Sequence, residues 1–195
     1  MILFFDTETT GFYDQKLPPD HAGQPHIVQL AAELCEDDGR PVMGMSLIID
    51  CPFPIPARAS EVHGITNEIA GARGVDLEFA IDLFRHFYRL ADLVVCHNVA
   101  FDVPVMASEI TRFLKRSTVL TKPTFCTMES ATPIVNLPPT ERMLAAGFNK
   151  PKPPKLEECI RHFFDEALEG AHDAMIDVAA CRRVYFHLKS LETQA

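Results

Sequence analysis

Met1-Ile2-Leu3-Phe4-Phe5-Asp6-Thr7-Glu8-Thr9-Thr10-Gly11 opens the chain. Ile2 to Phe5 is a short apolar run that ends in acids and then a Thr-Thr-Gly turn. Such a run, bounded by turn residues, predicts a buried strand. Strand side chains alternate between faces, so Asp6 and Glu8 share one face and Thr7 takes the other. Two neighbouring carboxylates at a strand end repel, and they need a cation or a shared proton. Two unrelated acids on a solvated strand end would explain the pair equally well.

Working outward, a polar, Pro-containing loop runs from Tyr13 to Pro25. Ile27 to Leu34 and Val42 to Ile49 predict two strands, with Asp37-Asp38-Gly39-Arg40 as the hairpin turn between them. Cys51 to Ala57 is a Pro-rich loop. A helix is predicted from near Asp76, where Ala80, Leu83, Phe84, Phe87 and Ala91 follow helical spacing. Leu93 to Cys96 predicts a second buried strand. Another helix is expected from about Val103, with Met106, Ile110, Phe113 and Leu114 on one face and Pro104 in its first turn. Thr121 to Lys155 reads as irregular, and Leu156 to Phe164 as helical. A last helix is expected from about Asp173 to Leu191, striped by Ala174, Val178, Cys181, Tyr185 and Leu188. With no repeat or low-complexity tract, the order predicts one α/β domain over residues 1–195 with a mixed sheet.

Composition narrows the function. The chain has 195 residues, 47% hydrophobic and 23% charged, enough for a real core. No stretch reaches the roughly 18 to 20 apolar residues that span a bilayer, so no membrane partner is expected. The N-terminus lacks a basic region and meets Asp6 almost at once, so no signal peptide is expected and a cytoplasmic location is. Six cysteines with no Cys-x-x-Cys pair read as reduced, buried thiols and not as a zinc site. A net charge of -9 argues against a dedicated polyanion binder. An enzyme whose acids hold divalent cations escapes that objection.

Further acids complete a candidate site. Asp102 follows Asn98 and the second buried strand; ahead of Val103 and Pro104 it also suits a helix N-cap. In open α/β sheets, sites gather at strand ends near the point where strand order reverses, so Asp102 can face the first pair. His172 and Asp177 are five residues apart near the start of the last helix. On one ideal helix they would diverge by about 140°. They converge if His172 lies in the loop, and Gly170 permits that sharp turn. Asp173 is free to cap the helix.

Phe5-Asp6-Thr7-Glu8-Thr9-Thr10-Gly11, Asn98-Val99-Ala100-Phe101-Asp102 and His172-Asp173-Ala174-Met175-Ile176-Asp177 resemble the three motifs of the DnaQ-like, or DEDDh, exonucleases, in that family's order. Val62-His63-Gly64-Ile65-Thr66 resembles a segment often found between the first two. The resemblance implies a ribonuclease-H-like fold, a five-stranded mixed sheet flanked by helices. It implies Asp6, Glu8, Asp102 and Asp177 as ligands of two Mg²⁺ or Mn²⁺ ions, and His172 as general base. All-carboxylate ligands suit hard cations, and an imidazole suits the proton of an attacking water. By the same resemblance, Thr9, Thr10, Gly11, Phe12, His63 and Asn98 are expected to contact substrate. Phe12 would stack on terminal bases or else pack into the core. Lys150, Lys152 and Lys155 form either a phosphate-tracking loop or a stiff solvated one.

The expected activity is metal-dependent hydrolysis of terminal phosphodiesters at 3′ ends of nucleic acid, releasing nucleoside monophosphates. DNA is favoured over RNA, with single-stranded or frayed ends. The alternatives are an RNA-trimming or oligonucleotide exoribonuclease of the same family, and a catalytically silent nucleic-acid or polymerase-associated module. A silent relative would be expected to have lost some of the five site residues. Only Glu192 to Ala195 follow the last predicted helix, so polymerase association through a C-terminal tether is not expected.

Overall fold

In the computed structural model, which describes residues 1–194, Ile2–Thr9 forms β1 at the centre of the sheet. β2 (Ile27–Cys35) pairs antiparallel with β1, and β3 (Pro41–Ile48) antiparallel with β2. On the other side β4 (Leu93–Cys96) runs parallel to β1, and β5 (Thr124–Cys126) parallel to β4. The order is β3-β2-β1-β4-β5. The sense of pairing therefore changes at β1. Only Ile2 to Phe4 pair with β4, so Asp6 to Thr9 extend beyond its register. This leaves the carboxyl end of β1 open at a topological switch point.

Alternation along β1 builds two cores. Leu3 and Phe5 pack with Phe84 and Phe87 of α3 (Leu77–Leu90) and with Met106 and Ile110 of α4 (Val99–Leu114). Ile2 and Phe4 face Cys159 of α7 (Leu156–Phe164) and Val178, Cys181 and Val184 of α8 (Ala174–Gln194). In the predicted helical stripe from Ala80 to Ala91, Ala80, Phe84, Phe87 and Ala91 are buried and Leu83 is half-buried, and the stripe of Ala174, Val178, Cys181, Tyr185 and Leu188 is buried. Two short helices, α1 (Ala57–His63) and α2 (Asn67–Arg73), were not anticipated; they cover a third cluster built on Val28, Ile55 and Ile65.

Several expectations are corrected. α4 begins at Val99, four residues early, because Asn98 adopts a left-handed conformation (φ 91°) and turns the chain straight into the helix. Asp102 is thus inside α4 and not its cap, and Pro104 lies past the first turn, where the Ala100 carbonyl loses its usual donor. The irregular segment from Thr121 holds β5, α5 (Thr127–Val135) and α6 (Glu141–Ala145). Three-residue and five-residue elements are too short for periodicity to register. α8 continues to Gln194, absorbing Glu192 to Gln194; Ala195 lies outside the described residues. All six cysteines are free thiols, but Cys51 and Cys126 are only half-buried. No described helix is long and apolar enough to cross a membrane.

Candidate active site

Three elements deliver the acids to the open end of β1. Asp6 and Glu8 leave one face of the strand. Thr7 leaves the other, where its backbone N–H (3.1 Å) and Oγ1 (2.8 Å) donate to Asp102 Oδ1. Those bonds hold a nearly fully buried carboxylate from α4 beside β1. Asp177 comes from the first turn of α8. Its Oδ2 accepts the backbone N–H of His172 at 3.0 Å, while its Oδ1 is buried without a partner. His172 lies in the loop before the helix at φ 70°, with Gly170 at φ 74° ahead of it. The loop placement that convergence requires is therefore present, and Asp173 Oδ1 caps the helix by accepting from Met175 N at 2.9 Å.

The electrostatics are those of crowded acids. Glu8 is pushed up to about 8, by burial first and then by Asp177, Asp102 and Asp173. Burial raises Asp102 to about 7 against the two Thr7 hydrogen bonds. Asp6 stands well above the ordinary carboxylate range, through burial and then Asp102, Asp177 and Glu8. Asp177 is raised by burial, opposed by the His172 N–H. Ligand atoms of Glu8, His172 and Asp177 lie within 4.8 Å of one another, the tightest such group among the described residues. Asp6 and Asp102 fall outside that group but couple to it electrostatically. The orphaned Asp177 oxygen, the mutual repulsion and the oxygen-rich donor set all fit hard divalent cations.

The expected substrate contacts divide between two clefts. Thr9, Thr10, Gly11, Phe12 and His63 line a cavity of about 580 Å³ beside Glu8, with Arg58, Val62 and Phe101. Asn98 lies in a second cleft of about 310 Å³ with Asp6, His172, Asp177 and Lys155. Phe12 is 90% exposed, so the core-packing alternative is excluded. Thr9 Oγ1 donates to Gly11 O at 2.6 Å, and Thr10 Oγ1 accepts from His26 N at 2.9 Å. Both hydroxyls are thereby engaged in shaping the turn. His63 Nδ1 accepts from Ile65 N at 3.1 Å, which places the ring proton on Nε2, a buried donor without a partner. Burial lowers the His63 pKa, and the nearby His172 lowers it further.

Two of the three loop lysines are paired within the chain. Lys152 Nζ donates to Glu158 at 2.6 Å and Lys155 Nζ lies 3.4 Å from Glu157. The stiff solvated reading of this loop fits better than free phosphate tracking. Sequence reading missed His97. Its ring bonds Thr127 Oγ1 (2.9 Å) and Pro154 O (3.1 Å), pinning the wall of the second cleft, and burial lowers its pKa to about 4. Its only signal was adjacency to Asn98.

Residues 3–185 match the RNase_T family of exonucleases. The chain belongs to that family. This exonuclease domain is DnaQ-like and ribonuclease-H-like in fold. It is 32% identical over 122 residues to a DNA polymerase III subunit epsilon-like protein of Rhodobacter capsulatus, matching 60% of this chain and 14% of that protein. Escherichia coli exonuclease I in complex with a dA16 oligonucleotide superposes with a TM-score of 0.77 at 18% identity, over 99% of this chain and 41% of that one. The zinc-ion-bound complex of the same enzyme with single-stranded DNA gives a TM-score of 0.75, with the same coverage. The domain thus spans about two fifths of the solved chains it resembles.

Proposed function

We propose that residues 1–195 act as one 3′→5′ exonuclease domain that hydrolyses terminal phosphodiesters of single-stranded or frayed nucleic acid, DNA in preference to RNA. The observation that carries this is the convergence of Asp6, Glu8, Asp102 and Asp177 from β1, α4 and α8, with His172 at their open side. Asp6, Glu8, Asp102 and Asp177 would hold two Mg²⁺ or Mn²⁺ ions. When bound, such ions supply charge that stabilises the phosphodiester oxygens during displacement. The chain's own residues do the rest. His172, exposed at the cleft mouth, takes the proton of the attacking water at a ring nitrogen.

The turn at Thr9 to Gly11, with the His63 donor and Phe12, receives the 3′-terminal nucleotide in the cleft beside Glu8. Phe12 is free to stack on a base, since every base has an aromatic face. Arg58 in the same wall offers a phosphate contact. The DNA complexes of the structural neighbours support DNA as substrate. The likeness to an epsilon-like protein supports association with a polymerase.

Polarity is tested with end-labelled single strands carrying a bulky block at one end, in Mg²⁺ or Mn²⁺. A 3′ block stops degradation and a 5′ block leaves it unchanged. Protection by the 5′ block alone would refute the proposed pocket. RNA of equal sequence, run in parallel, decides the sugar preference.

A further inference from the structure

Gln29 is a polar residue in the otherwise apolar run Ile27-Val28-Gln29-Leu30-Ala31-Ala32 of β2. It is buried and lies directly across the strand pair from Glu8. Its Oε1 accepts the backbone N–H of Ala174 at 3.2 Å. That N–H can only donate, so the amide orientation is determined. Nε2 then faces Asp173 Oδ2 at 3.5 Å and Ser46 Oγ at 3.4 Å. One side chain thus ties the sheet to the two residues that follow His172.

That tie matters because the His172 loop is not a conformation the chain takes freely. Gly170 and His172 both sit at positive φ, and Asp173 N reaches back to Gly170 O at 3.2 Å. Glycine tolerates this, but a histidine there is disfavoured and persists only when its surroundings hold it. The His172 N–H bond to Asp177 holds the loop to its own helix. The Asp173 cap likewise acts within α8. Among the described hydrogen bonds, those from Gln29 anchor the start of α8 to the sheet that carries Asp6 and Glu8.

We infer that Gln29 is a positioning residue, a clamp that sets the His172 ring against the acids by fixing the start of α8 to β2. This rests on the reading of His172 as the base. Loss of the clamp displaces the ring while leaving the nucleotide cleft, built from β1 and α1, in place. An ångström of misplacement at a catalytic group costs up to about a hundredfold in rate.

A double-mutant cycle with His172→Ala tests it. Gln29→Met, similar in size but without the amide, is expected to lower kcat about ten- to hundredfold with KM within about twofold. In the His172→Ala background the same change is expected to cost nothing. Gln29→Leu also removes the amide without adding a charge opposite Glu8; it serves the same cycle if Gln29→Met does not fold. An equal loss in both backgrounds, or an unchanged kcat, overturns the clamp. If His172→Ala alone keeps the parent kcat, the general-base reading falls. The clamp is then judged by hydrogen exchange: faster exchange of the Ala174 amide in Gln29→Met supports it, and unchanged protection refutes it.

Discussion

Replacing Glu8 with Gln is expected to stabilise the metal-free protein at alkaline pH while impairing its response to metal. Folding raises the Glu8 carboxyl from 4.5 to about 8. Between those values the folded state holds a proton that the unfolded chain has released, so stability falls as pH rises through the window. Below the lower value both states are protonated and the penalty is absent; above the upper value it is complete. At about 1.4 kcal/mol per pH unit, the ceiling is about 5 kcal/mol. Water in the half-open cleft screens part of this, leaving about 2 to 3 kcal/mol. For a domain of this size, each kcal/mol moves Tm by about 2–4 °C. In EDTA at about pH 8.5, Glu8→Gln should therefore melt roughly 4–12 °C above the parent, with the gap closing toward about pH 5. Saturating Mn²⁺ should raise the parent's Tm by mass action and the variant's by less. Thermal melts over that pH range, with and without Mn²⁺, measure both effects. A pH-independent gap in EDTA, or an undiminished Mn²⁺ shift in the variant, would refute the coupled-acid reasoning.

His172→Ala should lower kcat by roughly 10²- to 10⁴-fold while leaving the Mn²⁺-induced Tm shift nearly intact; collapse of that shift would make the ring a ligand, as its place beside Glu8 and Asp177 permits. Phe12→Ala should raise KM for single strands and change stability by no more than about 0.5 kcal/mol, because the ring is 90% exposed; steady-state kinetics and a melt check it. Thr7→Val removes the hydroxyl donor to Asp102. That bond helps hold the Asp102 pKa down, so the pKa should rise, and Mn²⁺ titrations near neutral pH should show weaker binding.

What the sequence by itself determined was local chemistry and long periodicity. The run from Ile2 to Phe5, the alternation that pairs Asp6 with Glu8, and the stripe of the last helix need only neighbouring residues to be read. The three acidic motifs were legible for the same reason, each being a few residues long. Tertiary structure alone decided where α4 begins, since Asn98 takes a left-handed turn that brings Asp102 inside the helix and under Thr7. It alone made a strand of Thr124–Cys126, whose three residues gain their order from pairing with β4. It separated Asn98 from the cleft of Phe12 and His63, and joined Gln29 to the start of a helix 145 residues away. Hydrogen bonds and burial between distant segments carry no periodic trace in the chain, because their partners are chosen by packing and not by spacing.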